Sequence, residues 1–372
     1  MQPAATIHFG PMSITLLICA VQGMVLAALL FRAKRNRAAN RALAFLILAV
    51  AALITPYIFG YAGFYDTWPR LSFAPFSYTL AFGPLIYLYT AGLVGERPPA
   101  AWRHFMPVLI QFLAYALVFP LPLATKNWWD GVAHAPVISP MLEAATLVSI
   151  PLYSAAAFRR YRAYRRWLDE NRTDGIDFDP SWVRNFLVVL AVVAVVWCGF
   201  LVANALNPAR NYFDQFWLYV LFSLLVIYLG LAGWRHAETQ FPRPAPSDPP
   251  PLNDNGRDWR EQGQAWLADI DQAEHWRDPA LTLATLSRRL GTNTAYLSRA
   301  LNAAAGENFN AIINRRRVAC VRRWLESPDE DRDMLSLALD AGFASKASFN
   351  RAFSDYVGMS PTAWRLKSQN TA

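Results

Sequence analysis

The run "FLVVLAVVAVVWCGFLVANAL", residues 186–206, decides how the larger part of this chain folds. A helix buried in a soluble core keeps a polar face toward water, and this run has none. At about 1.5 Å per residue it is long enough to cross roughly 30 Å of hydrocarbon. Outward from it, charges are as scarce over residues 11–31, 42–60, 71–95, 105–123, 141–158 and 216–234. Each of these stretches is about 18 to 25 residues long, so seven transmembrane helices are expected. Charged residues make up 17% of the 372 and are dense from residue 255 onward, so the deficit belongs to the apolar part. A cleaved leader is not expected, because no Lys or Arg precedes Arg32 and the first apolar run is too long for one.

Basic residues between the spans give an orientation. One set of connections holds fifteen: Arg32, Lys34, Arg35, Arg37, Arg41, Arg97, Arg103, Arg159, Arg160, Arg162, Arg165, Arg166, Arg172, Arg184 and Arg235. The alternate set holds three, Arg70, Lys126 and Arg210. The basic side is the cytoplasmic one, which places the N-terminus outside and everything after Arg235 inside a bacterial inner membrane. The stretch "RRYRAYRR" (159–166) reads as a topology determinant at the headgroups, with an anionic-lipid or nucleic-acid patch as its other reading. Cys19, Cys198 and Cys320 are too scattered for a disulfide framework or a metal site.

After the last span, "FPRPAPSDPPPLNDNG" (241–256) is an extended, semi-rigid tether. The residues beyond it form one soluble domain. "LTLATLSRRLGTNTAYLSRAL" (281–301) gives a short helix, a break at Gly291-Thr292, Asn293 as N-cap and a second helix anchored by Leu297. "MLSLALDAGFASKASFNRAF" (334–353) repeats it, with small Ala338 four residues before Gly342 as Ser287 is before Gly291, and Phe349 and Phe353 as anchors. Glycine supplies the positive φ such a turn needs. Between the copies, "FNAIINRRRVACVRRWLES" (309–327) is a helical spacer of about 27 Å. Successive major-groove faces of B-DNA lie about 34 Å apart, so one chain could present both second helices to one side of a duplex.

Residues 262–368 resemble the AraC/XylS, or arabinose-regulator, class of bacterial transcription factors. The resemblance rests on "YLSRALNAAAGENFNAIINRRRV", "ALDAGFASKASFNRAF" and "YVGMSPTAWR". It implies two helix-turn-helix units joined by a long helix, binding double-stranded promoter DNA and acting with RNA polymerase. It places Thr294, Ala295, Ser298 and Arg299 of the first unit, and Lys346, Ala347, Ser348, Asn350 and Arg351 of the second, toward DNA. Arg and Lys suit guanine or phosphate, and Asn suits adenine. Arg299 and Arg351 could equally be phosphate clamps or internal ion pairs. Of Arg315, Arg316 and Arg317, at least one is expected to pack internally against an acidic residue. Leu301-Asn302 departs from the Phe-basic pair of many relatives, which puts tight binding by the first unit in doubt. From residue 255, 16 basic against 14 acidic residues leave little bulk charge, so affinity must come from local placement.

No phosphate-binding Gly loop, HExxH or Cys/His array occurs, so no enzyme, metal or cofactor is expected. The whole chain is expected to be all-α: a seven-helix transmembrane sensor over 1–240, a linker over 241–256 and a double helix-turn-helix domain over 257–372. In this reading the membrane part receives a small-molecule or membrane signal and changes the pairing of DNA-binding domains in a homodimer. Trp128, Trp129, Asp130, His134, Glu143 and Asp214 are the candidate sensing groups near the outer face, and Glu143 is costly there unless paired or hydrated. A transporter or lipid-modifying enzyme fused to a regulator is the alternative, and a membrane scaffold with a degenerate DNA-binding tail is a third reading. Pro75, Pro84, Pro107 and Pro151 are candidate kinks within spans.

Overall fold

The computed structural model describes residues 7–96, 98–178, 180–207, 212–244, 258–327 and 330–369. Arg97, Arg210 and residues 245–256 of the Pro-rich segment lie outside these. Among the described residues there are helices and turns and no strand, with one isolated β-bridge between Arg172 and Thr282. The chain divides into two compact units, Met1–Tyr161 with Ser181–Phe241, and Arg162–Pro180 with Pro242–Ala372.

The first unit is built from α1 (Pro11–Arg32), α2 (Arg37–Tyr61), a single turn α3 (Phe64–Thr67), α4 (Phe82–Leu93), α5 (Met106–Val118), α6 (Leu123–Trp129), the start of α7 (Ser139–Asn171), α8 (Ser181–Leu206) and α9 (Phe216–His236). Six of the seven expected stretches contain helices long and apolar enough to cross a membrane. In the seventh, over 71–95, the apolar helix runs only from Thr79 to Leu93, about 23 Å of rise. Pro75 lies in the irregular chain before it, and Phe73 adopts a positive φ of 62° there. The prolines otherwise sort by position. Pro84 and Pro107 sit in first turns, where a missing N–H costs nothing, whereas Pro151 and also Pro56 lie inside helices.

Helices α1, α2 and α9 form the tightest part of this unit, burying Leu16, Leu30, Leu43, Ile47, Ile54, Val226 and Leu229. Gly230 permits the approach of α9 to α1, because a Cβ there would stand 2.8 Å from Leu26 Cβ. At one end of the bundle the Arg-rich α1–α2 turn is tied to the end of α9. Asn40 is 1% exposed, and its amide donates to the carbonyls of Arg35 (2.9 Å) and Ala237 (3.1 Å). Asn36 donates to the Thr239 carbonyl at 2.7 Å. Arg160 of the Arg-Tyr run is spent within the unit, paired with Glu96 and lying over the Tyr87 ring.

The second unit contains α10 (Trp259–Gln272), α11 (Leu283–Arg289), α12 (Thr294–Ala305), α13 (Phe309–Leu325), α14 (Met334–Asp340), α15 (Lys346–Val357) and α16 (Pro361–Gln369). Two cores hold it. Leu281, Leu283, Leu286, Leu297, Leu301, Phe309 and Ile313 join Cys320 in one, and Val321, Leu325, Leu337, Phe343, Phe349 and Phe353 form the other. The long helix α13 contributes to both, so its 17 residues link the two halves by apolar burial.

Candidate functional sites

Each half of the second unit turns its chain in the same way. In the first, Gly291 has φ +67°, its amide donates to the Arg288 carbonyl (3.3 Å), and the Thr292 amide donates to Ser287 (2.9 Å). In the second, Gly342 has φ +89°, with matching bonds from Gly342 to Leu339 (2.9 Å) and from Phe343 to Ala338 (3.0 Å). The helix that follows is then capped. Asn293 accepts from the Tyr296 amide at 2.8 Å to start α12, and Ser345 accepts from the Ser348 amide at 3.1 Å to start α15. Gly306 and Gly358, both left-handed, end these helices. The two helix pairs, α11 with α12 and α14 with α15, thus share one turn geometry, with α12 and α15 as their second helices.

On α15, Lys346, Ala347, Asn350 and Arg351 are exposed along one side, a face with a cation at each end and an amide between. Arg351 lies 3.9 Å from Asp355, a loose exposed pair worth little. Ser348 does not share that face. It is 4% exposed, and its hydroxyl donates to the Ser345 carbonyl at 2.9 Å while meeting the Ser345 hydroxyl at 3.1 Å. This is a capping box, and the Ser-x-x-Ser spacing is the signal for it. On α12, Thr294, Ala295 and Ser298 are partly exposed and Arg299 is exposed, its guanidinium 4.8 Å over the Trp259 ring.

The three consecutive arginines of α13 part ways. Arg315 pairs with Glu307, and Arg316 forks onto Asp271, its Nη2 at 3.0 Å. Arg317 is 1% exposed, and it takes backbone carbonyls rather than the expected carboxylate, donating to Trp276 and Asp278 at 2.7 Å each. Burial pulls its pKa down to about 10, with Asp174 and Asp278 opposing. It therefore braces the inter-helix turn and offers nothing to DNA. Residues 172–174 brace the same region. Thr173 is 2% exposed and donates to the Leu281 carbonyl at 3.1 Å, while Arg172 forks onto Asp174 at 2.7 Å. A cleft of about 260 Å³ beside them is walled by Arg165, Asp169, Asn310, Asn314, Arg351 and Tyr356 among others. Nothing local in the sequence marks this packing, which joins residues more than a hundred positions apart.

In the first unit, the ends of α2, α5 and α8 and the starts of α7 and α9 enclose a cavity of about 470 Å³. Of the candidate sensing residues, His134 and Glu143 line it. Trp129 stacks on the His134 ring at 4.9 Å, and Asp130 bonds to His134 Nδ1 at 2.7 Å. Trp128 is 64% exposed, and Asp214 is exposed and outside the lining. Tyr115 and Gln111 also face the cavity, without a sequence signal that singles them out.

Residues 286–367 match the family described as "Helix-turn-helix domain". Over 92 residues the chain is 34% identical to the Melibiose operon regulatory protein of Escherichia coli strain K12, and equally to that of Escherichia coli O6:H1 strain CFT073. That alignment covers 25% of this chain and 30% of each relative. No solved structure matches. The turns, the capped second helices and these matches together make residues 286–367 a helix-turn-helix domain of the AraC type.

Proposed function

We propose that the chain is a membrane-embedded transcription regulator, in which the apolar helices sit in a bacterial inner membrane and the C-terminal domain reads promoter DNA in the cytoplasm. The observation that carries the reading is the joining of six bilayer-length apolar helices to an AraC-type domain whose α15 exposes Lys346, Asn350 and Arg351. With the shorter apolar helix over Thr79–Leu93 taken as the seventh crossing, the basic residues of the α1–α2 turn and of the end of α7 favour an orientation with the N-terminus outside and the C-terminal domain inside. Both helix-turn-helix units contact DNA in this account, α15 for base recognition and α12 chiefly for phosphate. The relatives' printed name concerns regulation of an operon, and control of an operon through RNA polymerase is the corresponding role here. The membrane unit receives the signal, and a homodimer gains effective concentration on paired DNA sites.

The test is genome-wide mapping of sites bound by the full-length, membrane-resident protein, paired with a C-terminal reporter fusion. Discrete promoter sites and a cytoplasmic reporter are expected. A periplasmic reporter would overturn orientation and DNA function together. Reconstituted liposomes that show substrate flux or lipid turnover would favour the fused transporter or enzyme instead.

A further inference from the structure

The cavity of the first unit has a polar inventory of unusual bias. Several of its donors are satisfied among themselves. Gln111, 1% exposed, donates to Ser77 (3.3 Å) and Thr79 (3.2 Å) and accepts from the Leu80 amide at 3.3 Å. Thr146 donates to Thr79 at 2.9 Å. His134 is held on both ring nitrogens, by Asp130 and by the Tyr115 hydroxyl at 3.1 Å. Two acceptors stand apart from this network. The Glu143 carboxylate receives one long bond, from Ser139 at 3.3 Å. The buried Asn204 Oδ1 has no hydrogen-bond partner among the described residues.

Aromatic rings supply much of the remaining wall, including Tyr57, Tyr65, Tyr219 and Trp197, with Tyr57 stacked on Tyr219 at 3.5 Å. No Lys or Arg lines the cavity among the described residues. A carboxylate with one long hydrogen bond calls for N–H donors and positive charge, and ring faces favour the same charge. A volume of about 470 Å³ lies in the range that holds small organic ligands. A π-helical turn, Asp130–Ile138, directly precedes α7 and presents His134 to the cavity, and such turns are frequent at functional sites.

We propose that this cavity binds a small protonated organic amine carrying an apolar body, its ammonium on the Glu143 carboxylate and its body against the rings. The inference deepens the sensor reading given above and rests on it for the amine's role as a signal.

The test uses the full-length chain in lipid nanodiscs, with 2-phenylethylammonium, 2-phenylethanol and 3-phenylpropionate as probes. Binding is read by tryptophan fluorescence, Trp197 being in the wall, and by the shift of the thermal transition. The ammonium is expected to bind saturably and at least about tenfold more tightly than the alcohol, and the carboxylate not at all. Glu143→Gln is expected to weaken the ammonium at least about tenfold and leave the alcohol unchanged. Should Glu143→Gln fail to fold, the ranking of ammonium, alcohol and carboxylate on the unaltered chain decides the matter by itself. Equal binding of alcohol and ammonium, no saturable ammonium binding, or a folded Glu143→Gln that binds the ammonium unchanged would each overturn the proposal. A promoter reporter separates the two readings. Glu143-dependent amine binding with a reporter that ignores the amine keeps the site and sinks the sensor, and a reporter driven by another signal without amine binding does the reverse.

Discussion

The two helix pairs of the C-terminal unit, α11 with α12 and α14 with α15, are built on one backbone plan and finished with different chemistry. Both turns place a glycine at positive φ and repeat the same pair of amide-to-carbonyl bonds. Their surroundings differ. A Cβ on Gly291 would meet open space, whereas one on Gly342 would stand 2.5 Å from the Arg277 carbonyl oxygen. Their second helices differ too. The first exposes one cation, propped over Trp259, and the second exposes Lys346, Asn350 and Arg351 together. Turn geometry decides how a helix is presented, and the exposed positions decide what it can read.

The comparison is most open to breaking at the glycines. Gly342→Ala adds a left-handed residue and a clash with Arg277 backbone, for a loss of about 3 kcal/mol or more. Gly291→Ala carries only the backbone cost of about 1–2 kcal/mol. Calorimetric unfolding of both variants checks this, and equal losses would mean that the second turn has room to relax. Next in size is DNA affinity. Lys346→Ala with Arg351→Ala should weaken specific promoter binding by about 2–3 kcal/mol, and Arg299→Ala by about 1 kcal/mol with a shallower salt dependence. Footprinting and titration at two salt concentrations measure both, and an intact footprint for the double variant would remove α15 as the reader.

The smallest effect lies in the caps. Asp333, which starts α14, accepts from the Ser336 hydroxyl at 2.6 Å and from the Ser336 and Leu335 amides, and these bonds hold its carboxyl below the usual range. Arg332 does the same for Glu330. A lowered folded value means that this stabilisation is present above the ordinary carboxylate range near about 4 and is lost as pH falls through the folded value. The corresponding cap of the first helix pair, at the start of α11, is Thr282, whose hydroxyl does not titrate in this range. Between about pH 6 and about pH 3, amide-exchange protection at Leu335 and Ser336 should fall while that at Thr285 holds. Parallel loss at both caps would assign the acid sensitivity elsewhere.

Much of the architecture is legible because its signals are local. Apolar runs, Gly-bounded turns and the Leu and Phe anchors all act within a few residues, and the helices fall where those signals place them. The shortened helix before Leu93 shows the limit: low charge over 71–95 is a statement about composition, and the irregular chain around Phe73 and Pro75 removes its first turns. The same limit applies to single side chains. Ser348 belongs to a residue type that serves caps and bases alike, and its spacing from Ser345 decides the matter. Arg317 is indistinguishable from Arg315 and Arg316 until α13 meets the carbonyls of Trp276 and Asp278. The cavity gathers residues from five long helices and the loops between them, which no window along the chain can see.

Cys320, buried in the first core of the DNA-binding domain at 2% exposure, makes that domain unusually convenient to probe. Burial raises its thiol pKa, so the thiolate that alkylating reagents require is scarce there as well as shielded. A maleimide dye would therefore pass over the native domain and react at a cysteine introduced at exposed Ser354, one turn beyond Arg351 on α15, turning the approach of that helix to a duplex into a fluorescence signal.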